Sequence, residues 1–399
     1  MKAFKKSRTV FWSAALAIAM GLTGCTNTNT STSTSSTSDK TSDKTSSKTT
    51  SASASSEANS EATAFVDNDF EYWTDDSKAK DTLYTFVKNA SDSDSEGYIP
   101  LENRIAVFDM DGTLLSETNP YYFEWMMFFH RVLDDPTYQA PEEIKTFVTD
   151  VAMPAVYAGK VSDEIDAQFS KYQAEVYKGM SLDDYYKYVQ DTFMSLPVDG
   201  QEGITYGESF YMPMREVVDF LQDNDFEVYV VSGADRYTTR AAVTKELGIP
   251  ANHVIGSDTD IEGSKQGDED GEFYTWQAGE DVIRTGDLLK KNLKTNKVTA
   301  INREIGIQPV LAFGNSSGDE SMALYTITDN EYPAEAFLLL CDDTERDHGN
   351  EEKAAKTKEM ADGDGFNTIS MKQDWTTIYP ESAKMTEKSQ GTAKPDSGK

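Results

Sequence analysis

The chain of 399 residues contains two cysteines, Cys25 and Cys341, and three histidines, His130, His253 and His348. A disulfide framework is excluded by that count, and no His pair has the spacing of a zinc site. Basic residues are also scarce: 37 Lys and Arg face 69 Asp and Glu, a net charge of −32. Such a surface excludes nucleic acid as a partner and a polybasic contact with membranes. It does nothing to attract a phosphorylated ligand, so any positive charge a substrate needs must be supplied locally. No apolar run reaches the ~20 residues of a spanning helix. The longest, Val10 to Met20, follows Lys2, Lys5, Lys6 and Arg8, which is the layout of a secretory leader.

Leu22-Thr23-Gly24-Cys25 resembles a bacterial lipobox, in which the cysteine is acylated and becomes the new N-terminus. The expectation is a leader over 1–24 and lipid on Cys25, giving an exported protein held on the outer face of the cell membrane. Thr26 to Ala64 is nearly all Ser, Thr, Asn, Lys and Asp, too polar to bury a core, and reads as a flexible tether over 25–64.

The rest of the chain is organised around Arg104 to Thr113. Ile105-Ala106-Val107-Phe108 is a short apolar run of strand type, and Asp109 and Asp111 follow one residue apart before Gly112 turns the chain. Two acids at the end of a buried strand are costly unless a cation neutralises them, which suggests Mg²⁺. Ahead of this strand, Tyr72, Trp73, Leu83, Tyr84, Phe86 and Val87 predict a packing helix. After it, Thr118 to about Val198 carries helix-spaced apolar residues punctuated by Pro136, Pro141, Pro154 and Pro197. Further strands are predicted at Phe226 to Val231, around Val254-Ile255, at Val310 to Phe313 and at Ala336 to Leu340, with helices between them. This alternation predicts an α/β fold with a doubly wound parallel sheet. Phe273, Tyr274, Trp276 and Val282 are spaced as in hairpin strands. The expected organisation is a core over 65–116 and 205–380, a hairpin insertion about 256–290, a helical cap over 117–204 and a polar, disordered tail over 381–399.

In a parallel sheet the strand ends share one edge, so Asp109/Asp111, Ser232 and Asn315/Asp319 can converge, with Lys297 reaching the same place from a helix start. Two acids, a hydroxyl, an ammonium and a further acid suit phosphoryl transfer, in which a carboxylate attacks in line.

Asp109-Met110-Asp111-Gly112-Thr113, Val230-Val231-Ser232-Gly233, Lys297 and Gly314-Asn315-Ser316-Ser317-Gly318-Asp319 together resemble the four motifs of the haloacid dehalogenase-like hydrolases. The phosphoserine phosphatase-like and phosphorylcholine phosphatase-like branch is the nearest in pattern. The resemblance implies a Rossmann-like core and a Mg²⁺-dependent phosphatase acting on a small phosphorylated metabolite. Asp109 would be the nucleophile and Asp111 the general acid and base. Ser232, Gly233, Lys297 and Thr113 would hold the phosphoryl oxygens. Asp109, the backbone carbonyl of Asp111 and a side chain of the fourth motif would bind the metal. One departure is Asn315, where the family usually has an acid, so Asp319 is expected to be the anionic ligand. Glu117, Tyr121, Tyr122, Glu124 and Trp125 suggest a cage for a cationic substrate group, as in phosphoserine, phosphoethanolamine or phosphocholine. The alternatives are a phosphotransferase sharing every residue, and a non-catalytic binding lipoprotein on the same fold.

Overall fold

The computed structural model describes residues 64–117 and 122–387. Seven strands form one sheet: β1 (Ile105–Phe108), β2 (Glu227–Asp235), β3 (Val254–Gly263), β4 (Val282–Lys290), β5 (Leu311–Gly314), β6 (Glu335–Leu340) and β7 (Asn367–Ser370). Their order is β4-β3-β2-β1-β5-β6-β7. All neighbours are parallel except β3 and β4, which form an antiparallel hairpin at one edge. β1 lies between β2 and β5, with Phe108 opposite Val230 on one side and Phe313 on the other. The carboxyl ends that carry the sequence motifs are therefore neighbours.

The apolar runs are continuous because both sheet faces are covered. Ala106 and Phe108 of β1 enter one core with Val228, Val230, Leu311 and Phe313, while Ile105 and Val107 enter a second with Val231 and Ala312. Phe108, Phe313 and Phe337 stack across three adjacent strands, with ring centroids 4.3 and 5.1 Å apart. The fully buried Arg104, just before β1, donates to the carbonyls of Ile99, Asn224 and Ala90. It thereby joins the end of helix Lys78–Ser91 to the start of the central strand.

Between β1 and β2 the chain is helical: Phe123–Leu133, Glu142–Thr146, Met153–Tyr157, Asp163–Glu175 and Leu182–Lys187. Two π-helical segments, Phe147–Ala152 and Tyr188–Thr192, continue their neighbours, where the sequence suggests plain helices. After β2, helix Arg236–Leu247 ends at Gly248 in the left-handed region (φ 64°).

Three expectations change. The segment around Val254-Ile255 is not a short strand but the start of a ten-residue arm, so the hairpin belongs to the main sheet. Phe273, Tyr274 and Trp276 fall in the connection between β3 and β4, and Phe273 and Trp276 are 74% and 55% exposed instead of packed. Order continues past position 381, because Lys384–Met385 pairs with Gln201–Glu202. Helix Glu351–Asp364 and β7 are additions the sequence reading lacks. That helix buries only Ala354, Thr357 and Ala361, too narrow an apolar stripe to stand out.

The hairpin is fastened by a buried ion pair. Arg284 on β4, with no exposed surface, donates to both carboxylate oxygens of Asp235 at 3.2 and 3.0 Å and lies over the ring of Tyr185 at 4.3 Å. Asp235 also caps the next helix by accepting from the Tyr237 and Thr238 amides. Removing the guanidinium would leave a buried carboxylate without its counter-charge. Arg284→Met is expected to cost about 3–5 kcal/mol in urea unfolding. A loss below 1 kcal/mol would mean that the pair does not hold the hairpin.

Candidate active site

Asp109 stands one residue beyond β1, its amide donating to the Phe313 carbonyl at 2.9 Å and so extending the ladder toward β5. The chain then folds over itself, since the amides of Thr113, Leu114 and Leu115 all donate to the Met110 carbonyl. Gly112 makes this turn possible with φ 79°, and it also makes room. A Cβ at position 112 would lie 1.9 Å from Asn315 Nδ2 and 2.8 Å from Glu117 Cδ. The amide of Asn315 and the carboxylate of Glu117 thus meet over the one residue that has no side chain.

Lys297, in the first turn of helix Thr295–Glu304 and 1% exposed, places Nζ 2.7 Å from Asp109 Oδ1 and 2.7 Å from Asp319 Oδ1. Asp319 turns its other oxygen back into its own loop, accepting from the amides of Asn315 (3.1 Å) and Ser316 (3.3 Å). Asp111 accepts from the Phe123 amide at 3.0 Å, which links it to the first helix after β1. Burial pushes the Asp111 carboxyl up to about 6. Burial and the neighbouring Asp319 raise Asp109 as well, with Lys297 opposing them. For Lys297 burial works against the charge, but Asp109 and Asp319 outweigh it and hold the ammonium above its ordinary value.

These groups floor a cavity of about 300 Å³ with Asn315, Ser316 and Gly318. Tyr122, Glu124, Trp125, Val161, Asp166 and Phe169 of the helical segment line it too, and Gly233, Ala234, Lys291 and Leu293 complete the wall. The structure thus brings Asp109, Asp111, Lys297, Asn315, Asp319, Gly233, Glu117, Tyr122 and Trp125 together. Ser232 is buried just behind the wall, its hydroxyl accepting from the Ala234 amide at 3.1 Å. Thr113 is fully buried and its hydroxyl has no hydrogen-bond partner among the described residues. Tyr121 and Cys25 lie outside the described residues.

The expected cage is changed by its surroundings. Glu117 is paired with Lys353, so its charge is already compensated. Glu124 accepts from the Asp235 amide at 3.0 Å and serves as a brace. Trp125 stacks face to face on Phe169, with centroids 3.7 Å apart, which leaves one ring face at most for a ligand. Asp166 pairs with Lys291 at 3.4 Å.

The family model of the haloacid dehalogenase-like hydrolases matches residues 106–324, more than half of the chain. The chain belongs to the haloacid dehalogenase-like hydrolases. No curated protein matches it. Among solved structures it is similar to a conserved, functionally unknown protein from Anaerococcus prevotii, with 14% identity, a TM-score of 0.43, and 75% of this chain and 94% of that chain covered. A protein of unknown function from Bordetella pertussis has 15% identity, a TM-score of 0.43, and coverage of 67% and 98%. A phosphoserine phosphohydrolase-like protein from Francisella tularensis has 14% identity, a TM-score of 0.36, and coverage of 63% and 92%. At these identities and scores they say nothing about what this chain acts on.

Haloacid dehalogenase-like hydrolases generally use Mg²⁺, and the donors here suit a hard cation. Among the described residues no three His, Cys, Asp or Glu side chains form a metal-holding group. The residues that would hold the cation are Asp109 through its carboxylate, Asp111 through its backbone carbonyl and Asn315 through its side-chain carbonyl, whose Nδ2 lies over Gly112. One carboxylate and neutral oxygens are enough for Mg²⁺, which keeps several waters. Asp319, expected as the anionic ligand, is engaged by Lys297 and by the amides of Asn315 and Ser316.

Lys353 is the residue the sequence reading misses. It lies in the first turn of helix Glu351–Asp364, and burial pushes its ammonium down to about 8 although Asp109 and Asp111 attract it. Nothing around Lys353 in sequence marks it.

Lys297→Met should make stability strongly pH-dependent in metal-free protein. Without the ammonium, buried Asp109 would lose the charge that opposes its raised pKa, and its folded-state value would rise further above the unfolded one. The stability it allows is then present at low pH and lost as pH rises toward the folded value. Urea unfolding should show a larger deficit against the wild type at pH 8 than at pH 5. An equal deficit at both would mean that Asp109 does not depend on Lys297.

Proposed function

We propose that this hydrolase is a Mg²⁺-dependent phosphomonoesterase working through an aspartyl-phosphate on Asp109. The observation that carries the reading is the Lys297 ammonium held between Asp109 and Asp319, 2.7 Å from each, on the floor of a cavity beside Asp111. A carboxylate so fixed has one oxygen on the ammonium and can present the other to phosphorus. Asp109 attacks in line, the P–O bond to the alcohol breaks, and the leaving oxygen takes a proton from Asp111. Asp111 then removes a proton from water, which attacks the phosphoryl group and frees Asp109 and inorganic phosphate. The cation, when bound by Asp109, the Asp111 carbonyl and Asn315, offsets charge on the phosphoryl oxygens, as Lys297 does. An acid at position 111 supports a phosphatase over a dehalogenase, because displacing halide needs no proton shuttle.

The substrate is a small phosphomonoester. A cavity of about 300 Å³ suits a phosphoryl group with a short organic remainder. Glu117, Glu124 and Asp166 are all engaged, so an ammonium end group, as in phosphoserine, phosphoethanolamine or phosphocholine, gains support only from Tyr122 and Trp125.

Asp109→Asn should abolish release of nitrophenol from 4-nitrophenyl phosphate and the trapping of beryllofluoride, while the unfolding midpoint stays close to that of the wild type. Asp111→Asn should slow alkyl phosphates by about 10²–10⁴-fold and the aryl ester much less, since a good leaving group needs little protonation. Turnover that persists in Asp109→Asn would remove the nucleophile from the scheme.

Export and anchoring belong to the same reading. They rest on Leu22 to Cys25 and on the leader before it, which lie outside the described residues. An enzyme anchored through Cys25 would act on phosphoesters outside the cell. Cys25→Ser should abolish incorporation of labelled palmitate and shift the protein from the membrane pellet to the supernatant or leave it unprocessed. Label retained on the variant would refute lipidation at that position.

A further inference from the structure

Glu117 and Lys353 have no part in the chemistry above, yet they sit against it. Glu117 is 5% exposed, and its carboxylate reaches the space over Gly112 where the Asn315 amide also points. It is therefore beside the turn that carries Asp109 and Asp111 and beside the neutral residue that stands where the family's fourth motif usually has an acid. The one cation paired with Glu117 among the described residues is the ammonium of Lys353, toward which Asp109 and Asp111 also exert an attraction. Among the described residues, this places a monovalent cation among the carboxylates on the Gly112 side, distinct from Lys297 on the Asp319 side.

We propose that Glu117 supplies the carboxylate that position 315 lacks, completing a divalent-cation site with Asp109 and Asn315, and that Lys353 is the internal counter-ion which the metal displaces. This rests on the Mg²⁺ reading above. Two features favour displacement over a permanent pair. Lys353 sits in the first turn of its helix with 28% of its side chain exposed, so it enters the site from the protein's edge and not from its interior. Glu117 is 5% exposed and faces the cavity, so once Lys353 leaves, its buried carboxylate needs another cation, which can arrive from that side. Because both cations compete for Glu117, each weakens the other's hold by the same factor.

The test measures metal binding and not turnover. Full-length protein freed of metal with a chelator is titrated with Mn²⁺, followed through the magnetic resonance signal of the free ion, with no phosphoester present. Glu117→Gln should weaken binding by about 10–100-fold. Adding Asn315→Asp to that variant should recover most of the loss, because the carboxylate returns from the other side of Gly112. Lys353→Met should bind Mn²⁺ about fivefold more tightly or better, since its competitor is gone. Thermal unfolding followed by circular dichroism checks that each variant folds. Should Glu117→Gln not fold, Lys353→Met decides alone. Wild-type affinity in Glu117→Gln, no recovery with Asn315→Asp, or unchanged or weaker binding in Lys353→Met each overturns the proposal. Failure of the wild type to hydrolyse any phosphomonoester would refute the proposed function and leave this metal titration unaffected.

Discussion

The ammonium of Lys297 is the contact on which the rest of the site depends. Two carboxylates within 2.7 Å of one nitrogen, all three residues nearly sealed from water, form an ion triad in which loss of the ammonium would leave two buried acids without a counter-charge. Its geometry is set by backbone and not by side-chain freedom. The residue before its helix, Lys294, adopts φ 52° and donates its amide to the Gly318 carbonyl at 3.1 Å. That bond ties the start of the helix to the loop that ends in Asp319. Asp109 in turn is held by the ladder between β1 and β5. Three elements far apart in sequence converge because the strand order puts β5 next to β1.

A second network sets the roof over that floor. Glu124, in the first turn of the first helix after β1, accepts the amide of Asp235, which itself caps the helix after β2 and receives both arms of Arg284 from β4. The helical segment, the second motif and the hairpin are therefore joined through one buried acid. Tyr185, from the last helix of that segment, lies under the guanidinium and shares a 2.6 Å bond with Thr238. A mutation at Arg284, far from the reacting atoms, would loosen the wall at Gly233 and the entry of Trp125 together. Catalytic geometry is sensitive to shifts of this kind, since misplacement by about 1 Å can cost 10²-fold.

The sheet and its motif-bearing ends were readable in sequence because β1, β2, β5 and β6 are short apolar runs buried on both faces, each followed by a polar residue at a fixed place. Lys297 could be singled out from Lys290, Lys291 and Lys294 by its place at a helix start. What stayed hidden has one common cause, namely that a sequence does not display partners. Glu117 reads as a free acid near a site until Lys353 arrives from a helix more than two hundred residues later. Asp319 reads as a free acid of the fourth motif, and its partners, two loop amides and Lys297, appear only in the fold. Phe273 and Trp276 have the spacing of strand residues, but the flanking Gly and acidic residues leave them in an exposed connection.

The charge of the whole chain returns at this point. Around the cavity stand six carboxylates, those of Asp109, Asp111, Glu117, Glu124, Asp166 and Asp319, and three ammonium groups, those of Lys291, Lys297 and Lys353. Each ammonium already faces an acid: Lys291 faces Asp166, Lys297 faces Asp109 and Asp319, and Lys353 faces Glu117. At physiological salt the distant part of the −32 is screened beyond about 8 Å, so an approaching phosphate dianion responds to this local set. The set offers the dianion no net attraction. Positive charge must therefore enter with the substrate or ahead of it, and a divalent cation held by oxygen donors is the form of charge these residues can accept. Under the proposed function, an acidic hydrolase built in this way takes its anionic substrate together with the cation or after it, which makes that coupling a consequence of composition as much as of fold.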